Sequence, residues 1–179
     1  MNLIDVHAGN VEKTGFFCMM SKKKSEGYQN KLAWLRARFA EGLRIKMLDL
    51  AAGGRGFIEY IPGEVAWRPV FAADYMFLPS LPHDWDERSG RYGAGLTVVY
   101  ADQCPYIPDA TRGVLEAAEA RGIEGRAVVL TSSREVRESA PSPYGVFQIL
   151  YNGRLLSYHY LLRKDLERRP DQAEQGSDS

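Results

Sequence analysis

Residues 95–122, "GLTVVYADQCPYIPDATRGVLEAAEARG", hold the pattern on which the reading of the fold turns. The run from Leu96 to Tyr100 offers apolar side chains to both faces of an extended chain, which suits a central parallel strand better than a half-exposed one. "PDATRGVLEAAEARG" (108–122) reads as a helix ended by Gly122. Between strand and helix stands Cys104.

Working outward, "RAVVLTS" (126–132) reads as a second strand and "SREVRESA" (133–140) as a short helix. "YGVFQILYNGRLLSYHYL" (144–161) reads as two strands joined at Asn152-Gly153, the strongest short-range hairpin signal. "RKDLERR" (163–169) reads as a terminal helix, and "PDQAEQGSDS" (170–179) as a polar, disordered tail. The order β-α-β-α-β-β-α is that of the thioredoxin fold. A right-handed crossover places the N-terminus of its first helix at the carboxyl edge of the sheet, beside Cys104.

The first half reads differently. "SEGYQNKLAWLRARF" (25–39) sets Tyr28, Leu32, Leu35 and Phe39 on one face at helical spacing, with Gly42 available to end the helix. Then "LRIKMLDLA" (43–51), "FIEYIP" (57–62) and "VAWRPVFA" (65–72) are short, alternating and separated by Gly or Pro. They predict an antiparallel meander packed on the helix. The Pro- and Gly-punctuated stretch 79–94 reads as a linker or exposed loop. The fold class is therefore α+β / α/β: a helix plus antiparallel meander over 1–78, a linker over 79–94, a βαβαββα domain over 95–169 and a tail over 170–179.

Composition narrows the partners. Lys plus Arg and Asp plus Glu balance at 23 each, so no overall field steers the 179-residue chain toward nucleic acid or an anionic membrane. The opening "MNLIDVHAGNVEK" lacks the apolar run of a signal peptide, and no stretch reaches the roughly 20 apolar residues of a membrane span, which predicts a cytoplasmic protein. Cys18 and Cys104 are too few for a disulfide framework and predict free thiols in a reducing compartment.

Cys104 has two readings. Near a helix N-terminus a thiolate is favoured by the dipole and by unpaired N–H groups, so the thiol gains reactivity. Free cysteines are also often inert, partly buried small residues. A dithiol motif needs its second cysteine three residues on, and that position is Ile107, so no disulfide closes within the motif. Monothiol chemistry remains: a mixed disulfide, or a bound thiol compound, that a second thiol releases. Pro108 is comfortable only in the first turn of a helix, and a helix starting there would leave Cys104 about one turn outside. Pro143 and Tyr144, in "APSPYGVF", stand where a thioredoxin-type site carries its substrate-holding cis-proline loop. The candidate site is thus Cys104 as the thiol, with Pro105, Tyr106, Pro143 and Tyr144 as ligand contacts. Cys18, in "GFFCMMS", reads as core.

Residues 16–77, with "SEGYQNKLAWLRARF", "RGFIEYIPGEVAWRPV" and "YMF", resemble the opening of a bacterial subgroup of the GNAT superfamily of N-acetyltransferases. Residues 95–166, with "GLTVVYADQCPYI" and "APSPYGVFQILYNGRLLSYHYL", resemble the YoaP-like domain that accompanies that subgroup. The resemblance implies acetyl-CoA held by an Arg/Gln-x-x-Gly-x-Gly/Ala loop that opens a long helix, whose N–H groups cradle the pyrophosphate. Only "RSGRYGAG" (88–95) approaches this pattern. Three residues beyond Arg88 stands Arg91, five beyond Arg91 stands Leu96, and the segment runs into a strand.

The chain is therefore expected to be a relative with a degenerate acetyl-CoA site and no cofactor. It would act through its thioredoxin-like domain on a small thiol-containing or other small-molecule ligand. Two alternatives stand beside this reading: an acetyl-CoA-dependent N-acetyltransferase completed by oligomerisation or a partner chain, and a non-catalytic interaction protein. An incomplete acetyltransferase region exposes an apolar sheet face, which predicts either tight packing of the halves or a homodimer. "SKKKSEG" (21–27) reads as solvated charge. "HDWDE" (83–87) lacks a second ligand cluster at metal-binding spacing, so no metal is expected.

Overall fold

A computed structural model describes residues 2–16, 18–49, 55–68, 85–143 and 146–160. Strands β1 (Asn2–Val6), β2 (Arg44–Asp49) and β3 (Arg55–Tyr60) form an antiparallel sheet in the order β1-β2-β3. The short helix α1 (Val11–Thr14) and the longer α2 (Glu26–Ala40) lie between β1 and β2 in the chain. Beyond these, β4 (Leu96–Tyr100), α4 (Ile107–Glu119), β5 (Gly125–Val129), α5 (Ser133–Ser139), β6 (Phe147–Tyr151) and β7 (Arg154–Ser157) follow α3 (Trp85–Gly90). The second sheet has the order β5-β4-β6-β7, with β4 and β5 parallel and the other pairs antiparallel. Mixed α/β architecture of the α+β type was legible in the sequence.

Helix α2 begins where Ser25 supplies an N-cap, its hydroxyl accepting the Tyr28 N–H at 3.3 Å. Tyr28, Leu32 and Leu35 are buried as their spacing predicts, and Phe39 packs against the same core while partly exposed. The sheet partner differs from expectation. "VAWRPVFA" does not supply a third strand over its described part: Gly63–Val65 is a 3-10 turn, and Ala66 to Arg68 join no sheet; residues 69–72 lie outside the described residues. Pro62 and Pro69 lack the N–H a ladder needs, which explains the failure there. The third strand is β1 instead, with Val6 opposite Ile45 and Ile4 opposite Met47 on the face toward α2.

In the second sheet β4 is central, and Val98 and Val99, pointing to opposite faces, are both fully buried. On one face Leu96, Val98 and Ile149 pack with Ile107, Val114 and Ala118 of the α4 side. On the other, Val99, Leu130, Val136 and Leu150 belong to one continuous core with Tyr28, Leu35, Ile45, Met47 and Trp67 of the first half. The two halves therefore share a core. The Asn152-Gly153 turn forms with φ of 50° and 71°, and the Asn152 side chain accepts the Gly95 N–H at 3.0 Å, fastening the hairpin to the start of β4.

The stretch expected as linker is partly structured. Residues 85–90 form α3, which docks on the second sheet: Gly153 meets the Gly90 backbone, Arg88 donates to the Arg137 carbonyl at 2.7 Å, and the Tyr92 hydroxyl donates to the Ser139 carbonyl at 2.6 Å. Its Pro and Gly residues flank the helix rather than dissolve it. The proposed terminal helix and tail, 163–179, lie outside the described residues.

Gly27, in the first turn of α2, tests the packing of the halves. A Cβ there would lie 1.8 Å from the Pro105 carbonyl oxygen, a backbone atom that cannot rotate away. Helix propensity alone makes Gly27→Ala stabilising by up to about 1 kcal/mol, whereas overpacking costs about 1–3 kcal/mol. Urea unfolding of Gly27→Ala is expected to show net destabilisation; a stabilised variant would show that the halves do not meet at this point.

Candidate functional site

Loop 101–107, between β4 and α4, is fixed at three points. Gln103 Nε2 donates to the Trp67 carbonyl of the first half at 3.0 Å. The Pro105 backbone rests against Gly27 of α2, a contact open only to a residue without a side chain. Ile107, fully buried, anchors the start of α4, and its N–H donates to the Cys104 carbonyl at 3.2 Å. Pro108 takes a first-turn position in a helix that starts one residue earlier, at Ile107, with Tyr106 as N-cap. Cys104 thus stands two residues before the cap, half-buried, at the seam between the halves.

Lys31 was not anticipated. It lies one turn after Gly27 on the same face of α2, and its side chain is 8% exposed. Its ammonium is 3.7 Å from Glu59 Oε1 of β3 and 4.4 Å from the centre of the Trp34 ring. Burial pushes the Lys31 ammonium below its ordinary value; the Glu59 carboxylate and the negative charges of Cys18 and Cys104 pull it back up. The buried Lys31 ammonium therefore lies within electrostatic reach of both thiols. The sequence held a signal for it: Lys31 falls at i+3 from Tyr28 and i−4 from Leu35, inside the apolar stripe.

Cys18 is half-buried rather than fully interior, packed at the margin of the shared core. Burial pushes its thiol upward, negative charge on Cys104 adds to that, Lys31 opposes it, and Glu59 adds a smaller push. Burial, then the neighbouring Cys104 thiol, raises the Tyr160 phenol well above its ordinary value. Asp102 is held above the usual carboxylate range by burial and by Glu26. Glu26 is in turn 3.3 Å from Arg112 of α4, so an exposed ion pair bridges the two helix starts.

The sequence-predicted contacts separate. Pro105 is buried and Tyr106 is 51% exposed, both beside Cys104 in the chain. Pro143 is exposed and lines a cleft of about 820 Å³ with Trp85, Ser89, Gly90 and the Asn152–Leu155 turn; Cys104, Pro105 and Tyr106 do not line it. No peptide bond among the described residues is cis, Ser142–Pro143 included, in line with the strong trans default. Tyr144 lies outside the described residues.

The loop that would hold an acyl-CoA pyrophosphate has several of its N–H groups engaged within the protein. The N–H groups of Arg91, Tyr92 and Gly93 bond to Glu87, Ser89 and Gly90 carbonyls, that of Gly95 to Asn152, and that of Leu96 to Glu124. "RYGAG" leads into β4, not into a helix. His83 and Asp84 lie outside the described residues, and Glu87 pairs with Arg91 at 2.8 Å. Among the described residues no group of three or more His, Cys, Asp and Glu is placed to hold a metal ion, and no helix is long and apolar enough to cross a membrane.

With this geometry in view, half of the chain is similar to a known protein. It is 38% identical over 93 residues to the uncharacterized N-acetyltransferase YoaP of Bacillus subtilis (strain 168), a match covering 51% of this chain and 34% of that protein. The chain thus spans about a third of the length of the curated relative it matches. No family model matches it. No solved structure matches it.

The state of Lys31 predicts a pH dependence. Folded Lys31 holds its proton less tightly than the unfolded chain does, so between the two values the unfolded state binds more protons and stability rises with pH. The penalty of burying the charge is present in full at lower pH and fades as pH climbs toward about 10.4, the ordinary lysine value. Lys31→Met is expected to be at least as stable as the parent near neutral pH, with the parent closing the gap as pH rises. Urea midpoints measured across that range check it; a gap that widens with pH contradicts it.

Proposed function

We propose that the chain is a thiol module whose second half has the thioredoxin-like order, acting through Cys104 on a small thiol-containing molecule. The observation that carries this reading is the position of Cys104 after the carboxyl end of the central strand, half-buried and within the field of the buried Lys31 ammonium. A cation near the attacking sulfur stabilises the transition state in which negative charge spreads over it. The chemistry is thiol–disulfide exchange: the Cys104 thiolate attacks one sulfur of a disulfide, forms a mixed disulfide and expels the other sulfur as a thiolate. Exposed Tyr106 stands next to the thiol as a ligand contact, with Pro105 fixing the loop. Pro143 and Tyr144 belong to this reading only if the ligand extends toward the neighbouring cleft.

Alkylation tests it directly. Iodoacetamide is expected to modify Cys104 of the folded protein near neutral pH, and Lys31→Met is expected to slow that reaction several-fold without unfolding the chain. Equal rates in both proteins would remove Lys31 from the site, and a Cys104 that alkylates only on unfolding would make it an inert residue.

A second reading, an N-acetyltransferase completed by another chain, is favoured by the name of the Bacillus subtilis relative. Under the first reading acetyl-CoA is not a cofactor; the N–H groups of Arg91, Tyr92, Gly93 and Gly95, already bonded within the protein, support it. Isothermal titration with acetyl-CoA is expected to show no micromolar binding; micromolar binding would transfer the function to the second reading.

A further inference from the structure

The thiol reading leaves one chemical problem, which is how a mixed disulfide on Cys104 is released when the motif has no second cysteine. The answer offered here rests on that reading. Cys18 and Cys104 belong to different halves of the chain, yet they meet the same group of side chains. Gly27 and Lys31 occupy successive turns of one face of α2; the first touches the Pro105 backbone, next to Cys104, and the second carries the buried charge that both thiols feel. Phe16, two residues before Cys18, stacks on Tyr28 of the same helix at 4.6 Å between ring centres. The Tyr160 phenol lies within electrostatic reach of both thiols. Cys18, Cys104, Lys31, Glu59 and Tyr160 are thus one cluster at the junction of the halves.

We propose that Cys18 is the resolving thiol for Cys104, the two closing a reversible disulfide across that junction. The substrate is a small-molecule disulfide, RS–SR, and it is the oxidant. Cys104 as thiolate attacks one sulfur, giving Cys104–S–S–R and releasing RS⁻. Cys18 as thiolate then attacks the Cys104 sulfur, giving Cys18–S–S–Cys104 and releasing the second RS⁻. Two protein thiols have become a disulfide, one disulfide has become two thiols, and the two protein protons leave with the products or solvent.

Burial, and after it negative charge on Cys104, push the Cys18 thiol up, and the Lys31 ammonium opposes them; a mixed disulfide on Cys104 removes the second push while burial and Glu59 stay. Cys18 lies in irregular chain between α1 and α2, outside any helix or strand, so its approach to Cys104 breaks no ladder.

Glutathione disulfide is the probe, with full-length protein read by intact mass and by peptide mapping without reductant. The parent is expected to lose two hydrogens, retain no glutathione and yield a Cys18–Cys104 linked peptide. Cys18→Ser and Cys18→Ala are expected to hold glutathione on Cys104, and Cys104→Ser to give no cross-link. A parent protein that keeps glutathione on Cys104 to the same extent as the Cys18 variants overturns the inference and leaves the monothiol reading standing. If Cys104 takes up no glutathione in any form and no cross-link appears, both fall. Should the Cys18 variants fail to fold, the parent decides alone: oxidised protein without the linked peptide overturns the proposal.

Discussion

The structure depends on β4 being covered on both faces. Val98 faces the α4 core and Val99 faces a core that includes α2 and the first sheet, and both are fully buried. A strand apolar on both sides needs two covers, and the second half supplies only part of the second one, through Leu130, Val136 and Ala140. The rest comes from Tyr28, Leu35 and Trp67 of the first half. Burying side chains of this size contributes about 1.5–3 kcal/mol each, so separating the halves would forfeit a large share of a stability that is marginal in any domain. The linker-like stretch between the halves therefore connects parts of one packed body rather than two independent domains.

That shared core explains the site. The loop after β4 cannot extend freely into solvent, because α2 lies across it; Gly27 permits the close approach and Gln103 ties the loop to Trp67. Lys31 is buried for the same reason. An ammonium on a helix face that packs against a second structural layer loses water, and Glu59 and the Trp34 ring only partly replace it. Stability would favour an apolar side chain at that position. A charge kept at such a cost, within electrostatic reach of two thiols, is the kind of local conflict that marks functional sites.

Much of the fold was legible in the sequence, and the limits have physical causes. α2, α4, the Asn152-Gly153 hairpin and the buried central strand were each announced by a local pattern: a capping serine, a Gly stop, a turn dipeptide, a doubly apolar run. β1 was missed because "NLIDV" is too short and too mixed to stand out, and its place is set by pairing with β2 some 40 residues on. α3 was read as linker because six residues between glycines and prolines carry little period; docking on the Gly153 turn stabilises it. At the candidate site, Cys104 was singled out from its place after the strand, whereas the Lys31–Glu59 pair within the first half and the Gly27–Pro105 contact between the halves are set by tertiary packing. A one-dimensional motif search treats Cys18 and Cys104 as unrelated, since 86 positions separate them. Fold context offered Pro143 as a cis-proline candidate without fixing its isomer, and the Ser142–Pro143 bond is trans.

The first half is more than a remnant, whatever becomes of acetyl-CoA. Its resemblance to an acetyltransferase opening suggested a fragment that had lost its purpose with its cofactor loop. Yet its inner sheet face and helix α2 share one core with the second half, and Gly27 of α2 meets the Pro105 backbone beside Cys104. Its outer face, by contrast, leaves Leu3, Ile58 and Tyr60 exposed around the Asp5–Lys46 ion pair. Selection on a site needs a support that holds geometry, and α2 meets that need through buried contacts on its inner side alone. Helix α2 both roofs the central strand and carries the buried Lys31 ammonium, so removing it would cost the second half part of its core.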